Sequence, residues 1–325
     1  DLKRSDRKYE AGILEGMKWV GLTYDEGPEI NNDTEYGPYR QSERIEQGLY
    51  TQFANQLIES GLAYYCFCTE DDLNQEREAA KAANKPYVYS GKGSRLTPEE
   101  RQAKLDEGIP YTIRFKMPEK TIVFQDLIRG QIDFDTALIG DFVMIKSDGT
   151  PSYNFSVVID DWKMGITHVV RGEDHISNTP RQIAIFEALG APVPEFAHLP
   201  MILGPDKAKL SKRHGATSII DYRDQGFLPH AFFNYLMLLG WSPGDNQELL
   251  STEEVIDRFD FSQIGKAGAV FDIKKLTWMN GQYIRRSTPD ELYSAVAPFL
   301  SEKSKTKLSD YSDENAKAII FSVRD

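Results

Sequence analysis

Cysteine is nearly missing from this chain: Cys66 and Cys68 are the only two among 325 residues. So small a supply excludes a disulfide framework and points to a reducing compartment. No stretch approaches the roughly 18 consecutive apolar residues of a membrane span. The start, Asp1-Leu2-Lys3-Arg4, is too charged for a secretory signal. Basic residues are in the minority, 38 Lys+Arg against 50 Asp+Glu, for a net charge of -12. That balance disfavours non-specific coating of nucleic acid but leaves room for a grip through local basic patches. Neither a G-x-x-x-x-G-K-[ST] loop nor a G-x-G-x-x-G fingerprint occurs, so a nucleotide site needs another device. No G-x-S-x-G elbow accompanies His168, His175, His198, His214 or His230. What is present suffices for packed cores, with 40% hydrophobic and 11% aromatic residues, and the length suits two or three domains.

Periodicity predicts helices over residues 5–22, with Tyr9, Ile13, Met17 and Val20 on one stripe, and over 42–60, with Gly61 just past the end. Residues 62–150 read as a self-contained α+β insertion. A strand at 63–67 precedes a charged helix at 70–83. A second helix is opened by Thr97-Pro98-Glu99-Glu100, and antiparallel strands follow at 111–115, 121–124, 131–134 and 142–145. Strands are expected at 153–159 and 166–170, then a loop at Arg171-Gly172-Glu173-Asp174-His175 and a helix from Thr179-Pro180 to Gly190. Strand, loop and helix in that order form the unit of a doubly wound α/β sheet, whose ligands sit at the carboxyl ends of strands. Helices are expected at 228–239, 252–259, 272–279, 289–300 and 314–323, with a polar hinge over 301–312.

Lys209-Leu210-Ser211-Lys212-Arg213 places three cations within five residues, between Gly204-Pro205 and His214-Gly215. Flanking glycines allow movement, and such a loop suits a polyphosphate whose charge must be stabilised while a reaction proceeds. Taken alone, the cluster reads more simply as a solvated surface patch. Cys66-Phe67-Cys68 supplies half of a tetrahedral zinc site, but the next His is His168, so the pair reads as small apolar residues at a strand end. His168, within an apolar run, is expected in the core. Glu173-Asp174, Asp160-Asp161 and Asp71-Asp72 are all adjacent carboxylates, and adjacency alone selects none of them.

Several separated segments share one resemblance. Tyr153-Asn154-Phe155 with Val158-Ile159-Asp160-Asp161, Gly165 to His175, Asn178-Thr179-Pro180-Arg181-Gln182 and Lys209 to Gly215 closely resemble class I glutamyl-tRNA synthetases. So do Gly37-Pro38-Tyr39-Arg40-Gln41-Ser42, Gly226-Phe227-Leu228-Pro229 and Trp278-Met279-Asn280-Gly281-Gln282-Tyr283-Ile284. Lys209 to Arg213 fits that family's form of the KMSKS signature.

The resemblance implies a Rossmann-type parallel sheet split by an inserted domain. Residues 1–44 would begin the catalytic domain, 45–151 form the acceptor-stem-binding insertion, and 152–215 complete the catalytic domain. Residues 216–284 would form a helical stem-contact domain and 285–325 the start of an anticodon-binding domain. The HIGH signature is expected upstream of Asp1, and most of the anticodon-binding region beyond Asp325. The implied reaction activates L-glutamate with ATP and transfers it to the terminal ribose of tRNA-Glu, with tRNA-Gln as a further candidate. Lys209, Ser211, Lys212 and Arg213 would be catalytic. Lys212, Glu173, Asp174, His175, Met201 and Ile202 would bind ATP, and Tyr153 with Arg171 would bind glutamate. Mg²⁺ would arrive with ATP, and zinc is not expected. The picture is of a cytoplasmic monomer with no membrane partner. Two rivals remain: a glutamyl transferase acting on a modified tRNA base, and a catalytically silent synthetase-like binding module.

Overall fold

The computed structural model describes residues 6–30, 35–211, 213, 215, 218–308 and 310–323. The chain divides into two compact units, Asp25–His198 in one and Asp1–Tyr24 with Leu199–Asp325 in the other. Helix α1 (Arg7–Trp19) belongs to the second unit.

In the first unit, α2 (Gln41–Glu46) and α3 (Leu49–Glu59) replace the single helix expected over 42–60. Gly48 sits between them at φ +70, a left-handed conformation that interrupts the helical ladder and that glycine adopts without strain. Then come β1 (Ala63–Cys66), α4 (Glu70–Ala82) and α5 (Pro98–Asp106). Both helices begin in capping boxes, Thr69 with Asp72 and Thr97 with Glu100, the latter as its sequence predicts.

Strands β2 (Thr112–Phe115), β3 (Thr121–Asp126), β4 (Gly130–Asp135) and β5 (Phe142–Ile145) form where expected but do not share one sheet. β2 lies between β1 and β5 in an antiparallel sheet. The β3–β4 hairpin instead joins β7 (Glu195–Leu199) and β6 (His168–Gly172), in the order β4-β3-β7-β6, with β3 parallel to β7. Alternation explains the allegiance. Ile122, Phe124 and Asp126 are the buried residues of β3, and the first two share a core with Phe196 of β7.

The expected strand at 153–159 is a helix, α6 (Tyr153–Lys163). Phe155, Val158, Ile159 and Trp162 recur at i, i+3, i+4 and i+7, and all four pack in the main core. Their helical period outweighs the β-branched composition that suggested a strand. β6 begins later than expected, and His168 is exposed rather than in the core. It stands on the edge strand, with Nε2 3.8 Å from Glu195. Helix α7 (Thr179–Leu189) ends at Gly190, φ +65, and is buried on most of its circumference by Ile183, Ala184, Ile185, Phe186 and Leu189.

The second unit is largely helical. Helices α8 (Ile219–Asp224), α9 (Pro229–Leu238) and α11 (Ile273–Arg286) contribute to a core of Val20, Tyr222, Phe232, Tyr235, Phe271, Leu276 and Met279, while α10 (Thr252–Arg258) buries Val255. Asn280 on α11 accepts from the Leu228 N–H at 2.7 Å and donates to Gly226 O at 3.4 Å, joining two of the segments that carry the resemblance. On α1 the expected stripe is half right. Val20 is buried, yet Tyr9 and Ile13 are exposed, and Gly16 is the residue that meets Ile219 of α8. Helix α12 (Pro289–Val296) packs on α14 (Asp313–Ser322) through Leu292, Ala316 and Ile320, and the expected polar hinge contains a short helix, α13 (Glu302–Leu308).

The segment before α2 is fixed to α6 by a buried ion pair. Arg44, 2% exposed, donates to Pro38 O at 2.6 Å, Tyr36 O at 2.7 Å and Asp160 Oδ1 at 3.0 Å. Asp160 also accepts from the Tyr50 hydroxyl at 2.7 Å and the Gln41 amide at 2.8 Å. Arg44→Ala would leave this carboxylate without its cation, and about 3 kcal/mol of unfolding free energy should be lost in urea titration. The double variant Arg44→Met/Asp160→Asn should recover part of that loss.

Candidate functional site

The sequence-predicted residues fall into two groups, one in each unit. In the Asp25–His198 unit, the end of β6 and the 3-10 turn after it present Arg171, Glu173, Asp174 and His175, and the first residue of α6 presents Tyr153. The Tyr153 hydroxyl lies 3.3 Å from His175 Nδ1, with ring centroids 5.5 Å apart, and the ring is half-exposed. Asn178 Nδ2 is 3.2 Å from the same nitrogen. Glu173 pairs with Arg129 at 2.6 Å. Asp174 is exposed.

Arg171 is the most constrained of these. Its Nε donates to His198 Nε2 at 3.2 Å and its Nη2 to Thr179 Oγ1 at 2.8 Å, while its guanidinium carbon is 5.5 Å from the centroid of the Phe196 ring. Burial lowers the guanidinium's pKa, opposed by Tyr153, Asp161 and Asp126, and an arginine remains charged under such conditions. A planar fork held by its inner edge suits bidentate recognition of a carboxylate.

Asp126, His198, Thr179, Arg129 and Asp161 carry this arrangement, and sequence reasoning assigned none of them a role. Asp126 and His198 are separated by 72 positions, and nothing local to either marks the pairing. Asp161 was dismissed as one of several adjacent carboxylates. On α6, however, successive residues diverge by about 100°. Asp160 therefore anchors Arg44, whereas Asp161 feels the charge of Arg171. Burial, and then Asp160, push the Asp161 carboxyl up to about 6, against the pull of Arg171.

In the other unit, Met201 and Ile202 run into the short strand β8 (Ile202–Leu203), parallel to β9 (Ala269–Val270). A Cβ at Gly268 would stand 2.8 Å from Leu203 Cδ1 and 3.1 Å from Met201 O, so any side chain there would force Leu203 to shift and crowd the Met201 carbonyl. The basic segment is less mobile at its start than its glycines suggested. Lys209 bridges back to Leu203, the Leu210 N–H donates to Ile202 O at 2.9 Å, and Leu210 packs against the unit's core. Gly204 to Ala208 form the hairpin turn, with Lys207 at φ +61. Ser211 is exposed, and Arg213, also exposed, pairs with Asp206 at 3.2 Å. Lys212 lies outside the described residues.

Cys66 and Cys68 both face the Tyr89 hydroxyl, at 3.4 and 3.3 Å, and among the described residues no group of three or more His, Cys, Asp or Glu is placed to hold a metal ion. Nor is any described helix long and apolar enough to cross a membrane.

The family described as tRNA synthetases class I (E and Q), catalytic domain, matches residues 1–278. The chain belongs to this family. Its mixed α/β fold is that of the family's catalytic domain. The synthetase chain is 54% identical over 300 residues to the glutamate–tRNA ligase of Sulfurihydrogenibium sp. (strain YO3AOP1), a match covering 92% of this chain and 62% of that protein. It is 52% identical over 328 residues to the glutamate–tRNA ligase of Aquifex aeolicus (strain VF5), covering 100% of this chain and 66% of that one. The crystal structure of a glutamate tRNA ligase from Elizabethkingia meningosepticum, in complex with its amino acid, superposes with TM-score 0.86 at 36% identity, over 100% of this chain and 68% of that one. The chain thus spans about three-fifths of the length of the first of these curated relatives.

The shifted carboxyl of Asp161 has a signed consequence. Its folded pKa, raised to about 6 from 3.8, means that it favours folding below about pH 4 and that this contribution is lost as pH rises toward 6. Asp161→Asn should therefore be more stable than the parent at pH 7, by on the order of 2–3 kcal/mol, with the difference vanishing near pH 4 in urea titrations.

Proposed function

We propose that the protein is a glutamate–tRNA ligase that joins L-glutamate to ATP as glutamyl-adenylate and passes the glutamyl group to the terminal ribose of tRNA-Glu. The observation that carries this reading is Arg171. A charged fork fixed on its inner edge by His198 and Thr179, beside the Tyr153 hydroxyl, fits an amino acid with an anionic side chain. The identities of 52–54% to glutamate–tRNA ligases support the same assignment.

In the first step the α-carboxylate of glutamate attacks the α-phosphorus of ATP, and pyrophosphate leaves with the electron pair of the broken P–O bond. Negative charge grows on the leaving group, where cations act best if they are already near. Lys209, Lys212 and Arg213 are assigned that task, and Ser211 offers a hydroxyl to the nucleotide. The hairpin bonds of Lys209 and Leu210 hold the base of the segment, and Arg213 beyond it pairs with Asp206. Glu173, Asp174, His175, Met201 and Ile202 are assigned to ATP, Tyr153 and Arg171 to glutamate. Mg²⁺ enters as part of the ATP substrate. In the second step a ribose hydroxyl attacks the activated carbonyl and AMP departs.

The division into a split catalytic domain (1–44 and 152–215), an acceptor-stem insertion (45–151), a stem-contact domain (216–284) and the start of an anticodon-binding domain (285–325) completes the reading. A cytoplasmic monomer charging tRNA-Glu, with tRNA-Gln as a second acceptor, is the working assignment.

Two variants separate the roles in pyrophosphate-exchange and charging assays with tRNA-Glu and tRNA-Gln. Lys212→Ala should lower the activation rate by about a hundredfold or more with little change in glutamate KM, as expected for loss of one donor to developing charge. Parental activity in that variant would remove the loop from the mechanism. Arg171→Ala should instead raise glutamate KM at least tenfold, and an unaltered dependence on glutamate concentration would count against the carboxylate fork.

A further inference from the structure

His198 is a buried histidine with a fixed orientation that holds the inner edge of Arg171. Its side chain is 0% exposed, and every polar atom of the ring is committed. Nδ1 lies 2.6 Å from Asp126 Oδ2, and Nε2 lies 3.2 Å from Arg171 Nε and 3.2 Å from Thr179 Oγ1. Arginine has five N–H donors and no acceptor. Nε2 must therefore carry a lone pair toward Arg171, and the ring proton must sit on Nδ1, facing the carboxylate. The geometry alone selects a neutral imidazole of one tautomer.

The surroundings enforce that state. Asp126 comes from β3 and is itself 4% exposed. It accepts from the backbone N–H groups of Ile128, Arg129 and His198, so its charge is met by three dipoles besides the imidazole. Those donors keep its carboxyl ionised despite the burial that opposes it. Arg171 from β6 and His175 from the 3-10 turn both disfavour a second positive charge on His198, Thr179 from α7 supplies a hydroxyl, and the Phe196 ring stacks on the imidazole at 13°. Burial is the largest influence and lowers the imidazole's affinity for a proton, against the hydrogen bond and charge of Asp126, which pull the other way.

We infer that His198 is a positioning residue for Arg171. By accepting from Nε as a neutral group, it fixes the plane of the guanidinium without cancelling its charge, and so sets the preference for an anionic amino-acid side chain. A carboxylate in the same place would orient the fork equally well but pair with it, leaving little attraction for a substrate carboxylate. An apolar residue would leave the Nε–H buried without a partner and let the fork turn. This inference rests on the assignment of Arg171 to glutamate, and it adds the residues that make that assignment selective: Asp126 sets the tautomer, His198 transmits it, and Thr179 holds the second nitrogen.

The test has one readout that needs no substrate and one that does. In ¹⁵N-histidine NMR of the full-length protein, His198 should show protonated Nδ1 and unprotonated Nε2 from pH 5.5 to 8, whether or not glutamate is present. An Nε2–H tautomer or an imidazolium in that range would overturn the inference. In activation assays, His198→Phe should raise glutamate KM at least tenfold while ATP KM stays within twofold. His198→Gln, whose amide can donate to Asp126 and accept from Arg171, should restore glutamate KM to within threefold of the parent. A folded His198→Phe with unchanged glutamate KM, or with both KM values raised alike, would also overturn it. If His198→Phe fails to fold, the Gln variant and the NMR tautomer decide. A correct tautomer in a protein that activates no glutamate would instead refute the ligase assignment and leave the geometry of the cluster standing.

Discussion

One buried carboxylate organises the part of the first unit that presents Arg171. Asp126 ends β3, accepts the backbone N–H groups of the turn that follows, and reaches across to both the backbone and the ring of His198. A charge at this depth would be costly if it had fewer partners. Meeting its demand joins the end of the β3–β4 hairpin to the end of β7 and fixes the ring that in turn fixes Arg171. The tautomer of a histidine and the direction of a guanidinium thus both trace to one group.

The same logic recurs with Asp160, which draws Arg44, Tyr50 and Gln41 onto α6. The second unit uses neutral groups for comparable ends. Asn280 closes the backbone of Gly226 and Leu228, and the Asn234 side chain accepts from Leu250 N–H at 3.1 Å. In each case the polar groups of segments far apart in the chain complete one another.

Local chemistry was largely legible in the sequence. Thr97 and Pro98 announced α5, Gly190 ended α7, and the strands from β2 to β5 lay where alternation put them. What failed was non-local or a matter of period. The apolar run after Tyr153 read as a strand because its composition was weighed above its spacing. The allegiance of β3 could not be read, because it depends on a partner strand some seventy residues away. Arg171, Tyr153 and the basic segment came from a family resemblance, and that resemblance named residues expected to face ligands. It was silent on Asp126, His198 and Thr179, whose importance appears only when side chains distant in sequence stand within hydrogen-bond reach. The glycines beside the basic segment suggested a mobile loop, yet the backbone bonds of Lys209 and Leu210 keep its first residues in a hairpin.

Helix α6 carries Tyr153 at its first residue, Asp160 two turns on and Asp161 directly after it. Each looks in a direction fixed by its count along the spiral. Inserting or deleting a single residue within that stretch would turn everything beyond it by about 100°. The anchor for Arg44 and the carboxylate beside Arg171 would then both lose their places, even with every original side chain retained. Lineages of this chain are therefore expected to vary the letters of α6 more readily than its length.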